Sequence, residues 1–276
     1  MSRLVLHSVR AAALIAGLLP FVMEAQALDP QTFTVGTATA RRGTQAMGAI
    51  DVPAGSDSGL SIPVAVFHGA RPGPVVAFMA GGQGTEYSSI IALQRLILRL
   101  DPARLAGTVI IVPLLNVPSF LTMTARVNPV DGTSMVEGAD PNGTQSQRAL
   151  ALAWSALAQP ADAVVDLHGG DFGRDLHVPY SIWVRSGRPA QDSASSILVR
   201  AFGVRHVLVL DRDPDSPETA GSLVGHVLAS GKTLVMSAVG AAGVVAPTDL
   251  ATLVDGSLNV LGALQMIDRP TPPAVK

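Results

Sequence analysis

The sequence predicts one α/β layered domain with a largely parallel sheet, and three observations carry that expectation. Short apolar runs alternate with stretches of helical periodicity from about residue 60 to residue 267. Some runs, such as Ala163-Val164-Val165, are apolar at successive positions, as a strand covered on both faces requires. With 276 residues, 48% of them hydrophobic and 14% charged, the chain can bury one sizeable core.

The elements follow in order. Residues 60–68 and 74–80 read as strands, the second running Pro-Val-Val-Ala-Phe-Met-Ala into Gly81-Gly82. Over 87–100, Ile90, Leu93, Ile97 and Leu100 fall on one helical face with Ile91 and Leu96 beside it. Gly107–Leu115 is strand-like, 144–158 helical and 162–168 a buried strand. A strand at 179–185, a helix at 189–202 and a strand at 205–210 come next. A helix near 220–230, a strand at 232–238 and a helix at 248–267 close the series. In such sheets, working groups collect at the carboxyl ends of the strands.

The first residues read as an address. Arg3 and Arg10 precede an apolar run from Ala11 to Met23, and Ala25-Gln26-Ala27 supplies a small-x-small cleavage site, so residues 1–27 are expected to be a signal peptide. The run is short for a bilayer and Pro20 interrupts it, so no membrane span is expected after cleavage. The expected location is exported, in a bacterial periplasm, with residues 28–276 as one domain. A net charge of −2 and a pI near 6.3 provide no basic surplus to neutralise phosphates, which argues against a nucleic-acid partner. The absence of cysteine from the sequence excludes disulfides, thiolate ligands and a cysteine nucleophile, so any metal would need His, Asp, Glu or weaker donors.

Two strand ends carry the chemistry. Gly81-Gly82-Gln83-Gly84-Thr85-Glu86 follows one strand, and Asp166-Leu167-His168-Gly169-Gly170 closes another. Glu86 opens a helix, a place that favours a carboxylate through the helix dipole with or without a metal. Asp166 and His168, two apart on a strand, point to one side, so the aspartate can accept from one ring nitrogen and present the other to a metal. A hydrogen-bonded structural histidine is the alternative. Ser237 lacks a Gly-x-Ser-x-Gly elbow, which argues against a serine hydrolase. Asp211-Arg212-Asp213-Pro214-Asp215 reads as a solvated loop, and His206 and His226 as structural.

Gly81–Tyr87, Val112–Pro118, Arg126-Val127-Asn128-Pro129-Val130-Asp131-Gly132 and Ala161–His168, in this order and spacing, resemble the succinylglutamate desuccinylase/aspartoacylase family of zinc carboxypeptidase-like hydrolases. The resemblance runs from about residue 33 to residue 267. It implies a single zinc-carboxypeptidase-like α/β domain with a central mixed, largely parallel sheet flanked by helices, and hydrolysis of an N-acyl amide on a small amino-acid-like substrate. In that family a His-x-x-Glu turn and a later His hold zinc, an Arg polarises or binds substrate, an Asn-Arg pair grips its carboxylate, and a Glu near the last strand is the general base.

Carried over residue by residue, Glu86 and His168 match metal ligands and Arg126 matches the substrate-binding Arg. Gln83 stands in place of the first His ligand, and its neutral amide oxygen is a poorer zinc donor than imidazole. His177 is a candidate substitute. Ala238 stands where the general-base Glu belongs, and alanine moves no proton. Met135-Val136-Glu137-Gly138 replaces the Asn-Arg pair, reversing the local charge. A C-terminal β-rich domain of the kind many relatives carry is not expected. The expectation is an exported, degenerate member whose zinc is weakened or lost, hydrolytically impaired and binding a small acylated amino acid or a partner. The alternative is an active, atypical metal-dependent deacylase using Glu86, His168 and Gln83 or His177.

Overall fold

The computed structural model describes residues 31–135, 138–170, 172, 178–216, 219 and 221–270. Strands β1 (Thr32–Val35) and β2 (Ala38–Arg41) pair as an antiparallel hairpin. The other strands form one sheet: β3 (Thr44–Val52), β4 (Leu60–His68), β5 (Arg71–Ala80), β6 (Ala106–Val112), β7 (Ala163–His168), β8 (Tyr180–Arg185), β9 (His206–Asp211) and β10 (Thr233–Ala238). Their order is β3-β4-β6-β5-β7-β10-β8-β9. The middle pairings, β6 with β5, β5 with β7 and β7 with β10, are parallel, as is β8 with β9, whereas β3–β4, β4–β6 and β10–β8 are antiparallel. The sheet is thus mixed, and its parallel heart is the part that sequence patterning foresaw.

The helices are α1 (Tyr87–Ile97), α2 (Val117–Thr122), α3 (Gln145–Ala158), α4 (Pro189–Phe202), α5 (Leu223–Ala229) and α6 (Pro247–Ala263). Side-chain alternation along the central strands sends alternate residues to two cores. Phe78 and Ala80 of β5 and Val165 and Leu167 of β7 join Leu93, Leu96, Phe202, Leu253 and Leu261 beneath α1, α4 and α6. Ala77 and Met79 of β5 and Val164 of β7 join Leu150, Trp154, Leu157 and Val227 beneath α3 and α5, with Val35 and Ala40 of the hairpin. Asp166 and His168 share the parity of Val164 and so face the second layer. No described helix is long and apolar enough to cross a membrane.

The strands within 32–52 and the helix at 117–122 were not foreseen. Thr44–Val52 is an edge strand of mixed exposure, Thr-Gln-Ala-Met-Gly-Ala-Ile-Asp-Val, with weak alternation and a glycine at its centre. The helix α2 is short, yet Asn116 caps it by accepting from the Ser119 amide at 3.2 Å, and Pro118 lies within its first turn. The segment Asn128–Asp131, which follows Arg126, is fastened to the start of α3. Asn128 Nδ2 donates to Gln145 Oε1 at 2.8 Å, and Asp131 accepts from the Ser146 amide at 2.7 Å and the Thr133 hydroxyl at 2.8 Å.

Candidate functional site at the carboxyl ends of the central strands

The turn that leaves β5 is held by close backbone approach. A Cβ on Gly84 would lie 2.2 Å from the amide nitrogen of Phe120, so only glycine lets α2 pack there. The Gly84 amide donates to Ser119 Oγ at 3.1 Å, and Asn116 Nδ2 donates to the Gly82 carbonyl at 3.3 Å. The turn therefore delivers Glu86 to the first position of α1 in a fixed place. Glu86 occupies the N-cap, but its side chain makes no capping hydrogen bond. Its buried carboxylate lies instead against His168, so helix capping does not account for it.

His168 stands between two carboxylates. Its Nε2 lies 3.0 Å from Asp166 Oδ2, and its Nδ1 lies 3.3 Å from both Oε1 and Oε2 of Glu86. Glu86 is 4% exposed, Asp166 7%, and the imidazole is about a quarter exposed at 25%. Burial opposes a charged ring, but the adjacent Asp166 and Glu86 carboxylates outweigh it and raise the His168 pKa well above the ordinary histidine value. Each ring nitrogen thus faces a carboxylate oxygen at hydrogen-bonding distance. The aspartate acts as the sequence spacing anticipated; the ring's other nitrogen faces Glu86.

These distances test the fit of zinc. Donors about 2.0–2.1 Å from a tetrahedral zinc stand about 3.3 Å apart, so Glu86 and His168 Nδ1 also have the separation of two ligands on one ion. A third strong donor does not join them: among the described residues no group of three His, Cys, Asp or Glu could hold a metal. Gln83 Oε1 is buried with no hydrogen-bond partner among the described residues, and a neutral amide is all it provides. The described donors do not make up a catalytic zinc set.

The remaining expected residues fall as follows. Ala238 ends β10 in parallel register with His168, 5% exposed, so the place next to the imidazole on the neighbouring strand holds a methyl group. Arg126 is half-buried in the segment between α2 and α3. Both oxygens of Asp131, a conceivable partner for it, accept from Thr133 or Ser146. His177, Glu137 and residues 1–30 lie outside the described residues. Asp211 pairs with Arg185 at 2.7 Å on the exposed sheet edge, which accounts for the start of the acidic run.

Ser88 escaped sequence reading. Its hydroxyl donates to the Val239 carbonyl at 2.9 Å, and a Cβ on Gly169 or Gly240 would come within 2.6 or 2.4 Å of that oxygen. Ser88 thereby ties the start of α1 to the turns after β7 and β10. The glycines that follow both strands were the available signal.

Comparison with known proteins identifies the fold and the family. Residues 72–264 match the model of the succinylglutamate desuccinylase/aspartoacylase catalytic domain. The chain is similar to N-alpha-acetyl-L-2,4-diaminobutyric acid deacetylase of Halomonas elongata, with 31% identity over 221 residues, covering 76% of this chain and 62% of that protein. It therefore spans about three fifths of that relative's length. Among solved structures, it resembles a succinylglutamate desuccinylase/aspartoacylase from Rhodobacter sphaeroides, with a TM-score of 0.73 and 26% identity over 82% of this chain and 67% of the other. The product-bound ectoine utilization protein EutE (DoeB) from Ruegeria pomeroyi shares the fold, with a TM-score of 0.72 and 24% identity over 82% of this chain and 69% of the other.

Proposed function

Because the chain belongs to the succinylglutamate desuccinylase/aspartoacylase family, with a relative named as an N-acyl amino acid deacetylase, we propose that it is an exported, hydrolytically impaired member that binds a small N-acylated amino acid. The observation that carries this reading is Ala238 in register with His168. Amide hydrolysis needs a group that takes a proton from the attacking water and delivers one to the departing amine. A general base of this kind contributes about 10²–10⁴-fold. Alanine does neither, and His168 cannot replace it, because each of its nitrogens is engaged by a carboxylate.

What this chain's residues retain is a formed cleft. The Gly84 contact and Ser88 fix the turn, Asp166 and Glu86 hold the His168 ring, and Arg126 is the guanidinium assigned to a ligand's carbonyl or carboxylate. The family is zinc-dependent in general; zinc, where bound, polarises the acyl carbonyl and activates water. Among the described residues, Glu86 and His168 are the good donors for it. Export is read from the pattern over residues 1–27.

One observation favours the second reading, an active but atypical metal-dependent deacylase: Gln83 Oε1 is buried without a partner among the described residues, as a third, weak ligand would be. Purified protein equilibrated with excess zinc and then desalted separates the two. The impaired reading expects substoichiometric zinc and no chelator-sensitive cleavage of N-acetylated amino acids. It also expects Gln83→His combined with Ala238→Glu to recover both. Stoichiometric zinc with EDTA-sensitive turnover in the unmutated protein overturns it.

A further inference from the structure

Beside Asp166 and His168, a cavity of about 110 Å³ runs beneath the sheet towards α3 and α5. Its walls are Met79 and Met236 from the strands, Leu150 and Trp154 from α3, and Leu223 and Val224 from α5. Among the described residues, Asp166 and His168 are its only ionisable lining, and no described lysine or arginine lines it. Building on the reading that the cleft holds an N-acylated amino acid, we propose that this cavity is an acyl-chain pocket selecting an uncharged group of about four to five carbons, such as butyryl or valeryl.

Size, polarity and position each support this. At about 30 Å³ per small heavy-atom unit, the volume accepts about three to four non-hydrogen atoms beyond a carbonyl left at the His168 mouth. An acetyl group would leave most of the space empty. A succinyl group would bring a second carboxylate among methionine, leucine and indole side chains, where the described lining offers it only Asp166 and a His168 ring already held by two carboxylates. An alkyl chain instead covers methionine, leucine and indole surface, worth about a fourfold gain in affinity for each methylene buried. Trp154 is 3% exposed, and its indole N–H meets no acceptor among the described residues, so it is an intrinsic reporter on the cavity wall.

The test is a chain-length series on the full protein in EDTA. N-acetyl-, N-propionyl-, N-butyryl-, N-valeryl-, N-hexanoyl- and N-succinylglycine are titrated by calorimetry and by tryptophan fluorescence. The expected result is N-butyrylglycine binding about 15-fold more tightly than N-acetylglycine, a maximum at butyryl or valeryl, weaker hexanoyl, and succinyl no better than acetyl. Leu150→Trp, which fills the cavity, should flatten the series. An affinity independent of chain length, or a preference for succinyl, overturns the pocket assignment while leaving the binding reading intact. Failure of every N-acylglycine, acetyl included, overturns both. The series on unmutated protein stands whether or not the Leu150 variant folds.

Discussion

Placing a glutamate at position 238 tests the electrostatics of the site directly. Ala238 is next to His168 on the neighbouring parallel strand, and adjacent strands stand about 4.8 Å apart. The cluster already holds the Glu86 and Asp166 carboxyl groups on either side of the His168 ring. A further carboxylate about 5 Å from one of them, at an effective dielectric of about 20, is repelled by about 3 kcal/mol. Ala238→Glu should therefore lower stability by about that amount in EDTA at neutral pH. Ala238→Gln, of the same shape and no charge, should cost much less. Urea unfolding followed by circular dichroism reads both as midpoint shifts at constant m-value. Combining Ala238→Glu with Gln83→His should make stability zinc-responsive, gaining about 2.7 kcal/mol when zinc is 100-fold above its Kd. Equal urea midpoints for the Glu and Gln variants in EDTA would refute that repulsion.

Three further outcomes are expected. Gly84→Ala should destabilise by about 1–3 kcal/mol or more, because its Cβ would lie 2.2 Å from the Phe120 amide nitrogen, and thermal melts will show whether the turn can yield. The hydrogen bond from Arg148 Nη2 at 2.6 Å holds the Asp57 carboxyl below its usual pKa, and the Gln145 amide adds to this. A depressed carboxylate contributes stability above its unfolded value near 3.9 and loses it as pH falls through the lower folded value, so urea midpoints should drop below about pH 4 and Asp57→Asn should flatten that drop. In EDTA, His168→Ala should cost about 3–5 kcal/mol by breaking the buried contacts to Asp166 and Glu86, and Glu86→Gln in that background should restore part of the loss. Additive effects of these last two changes in a double-mutant cycle would dismiss the ion cluster.

The site was legible where chemistry follows from local spacing. Asp166 and His168 stand two apart on a strand, and that alone brings the carboxylate to 3.0 Å from the ring. The parallel heart of the sheet was legible too, since Val164, Val165, Phe78 and Ala77 are buried on both faces and leave no polar alternation. Glu86 meeting His168 depends on tertiary placement across 82 residues. Local pattern offered helix capping as an equal explanation, and only the fold decided between them. The cavity was also unreadable, because Met79, Trp154 and Leu223 look like ordinary core residues until their packing leaves a space. The hairpin and β3 were missed because they are short or edge strands whose order comes from neighbours.

Persistence of Glu86 and His168 beside Gln83 and Ala238 has a physical cause that does not require metal binding. A buried carboxylate with no cation is costly, and in the metal-bound family site the divalent ion supplies the opposing charge. In this chain His168 lies 3.3 Å from Glu86, a separation that serves a hydrogen bond and a ligand pair equally well. Retaining both residues therefore stabilises the fold whether or not zinc binds. Replacing either one alone removes a contact of the other. The position of Ala238 differs, because a carboxylate there would join two carboxyl groups already in place. In a cleft without zinc such a glutamate is disfavoured, while a carboxylate and an imidazole that pair with each other are kept.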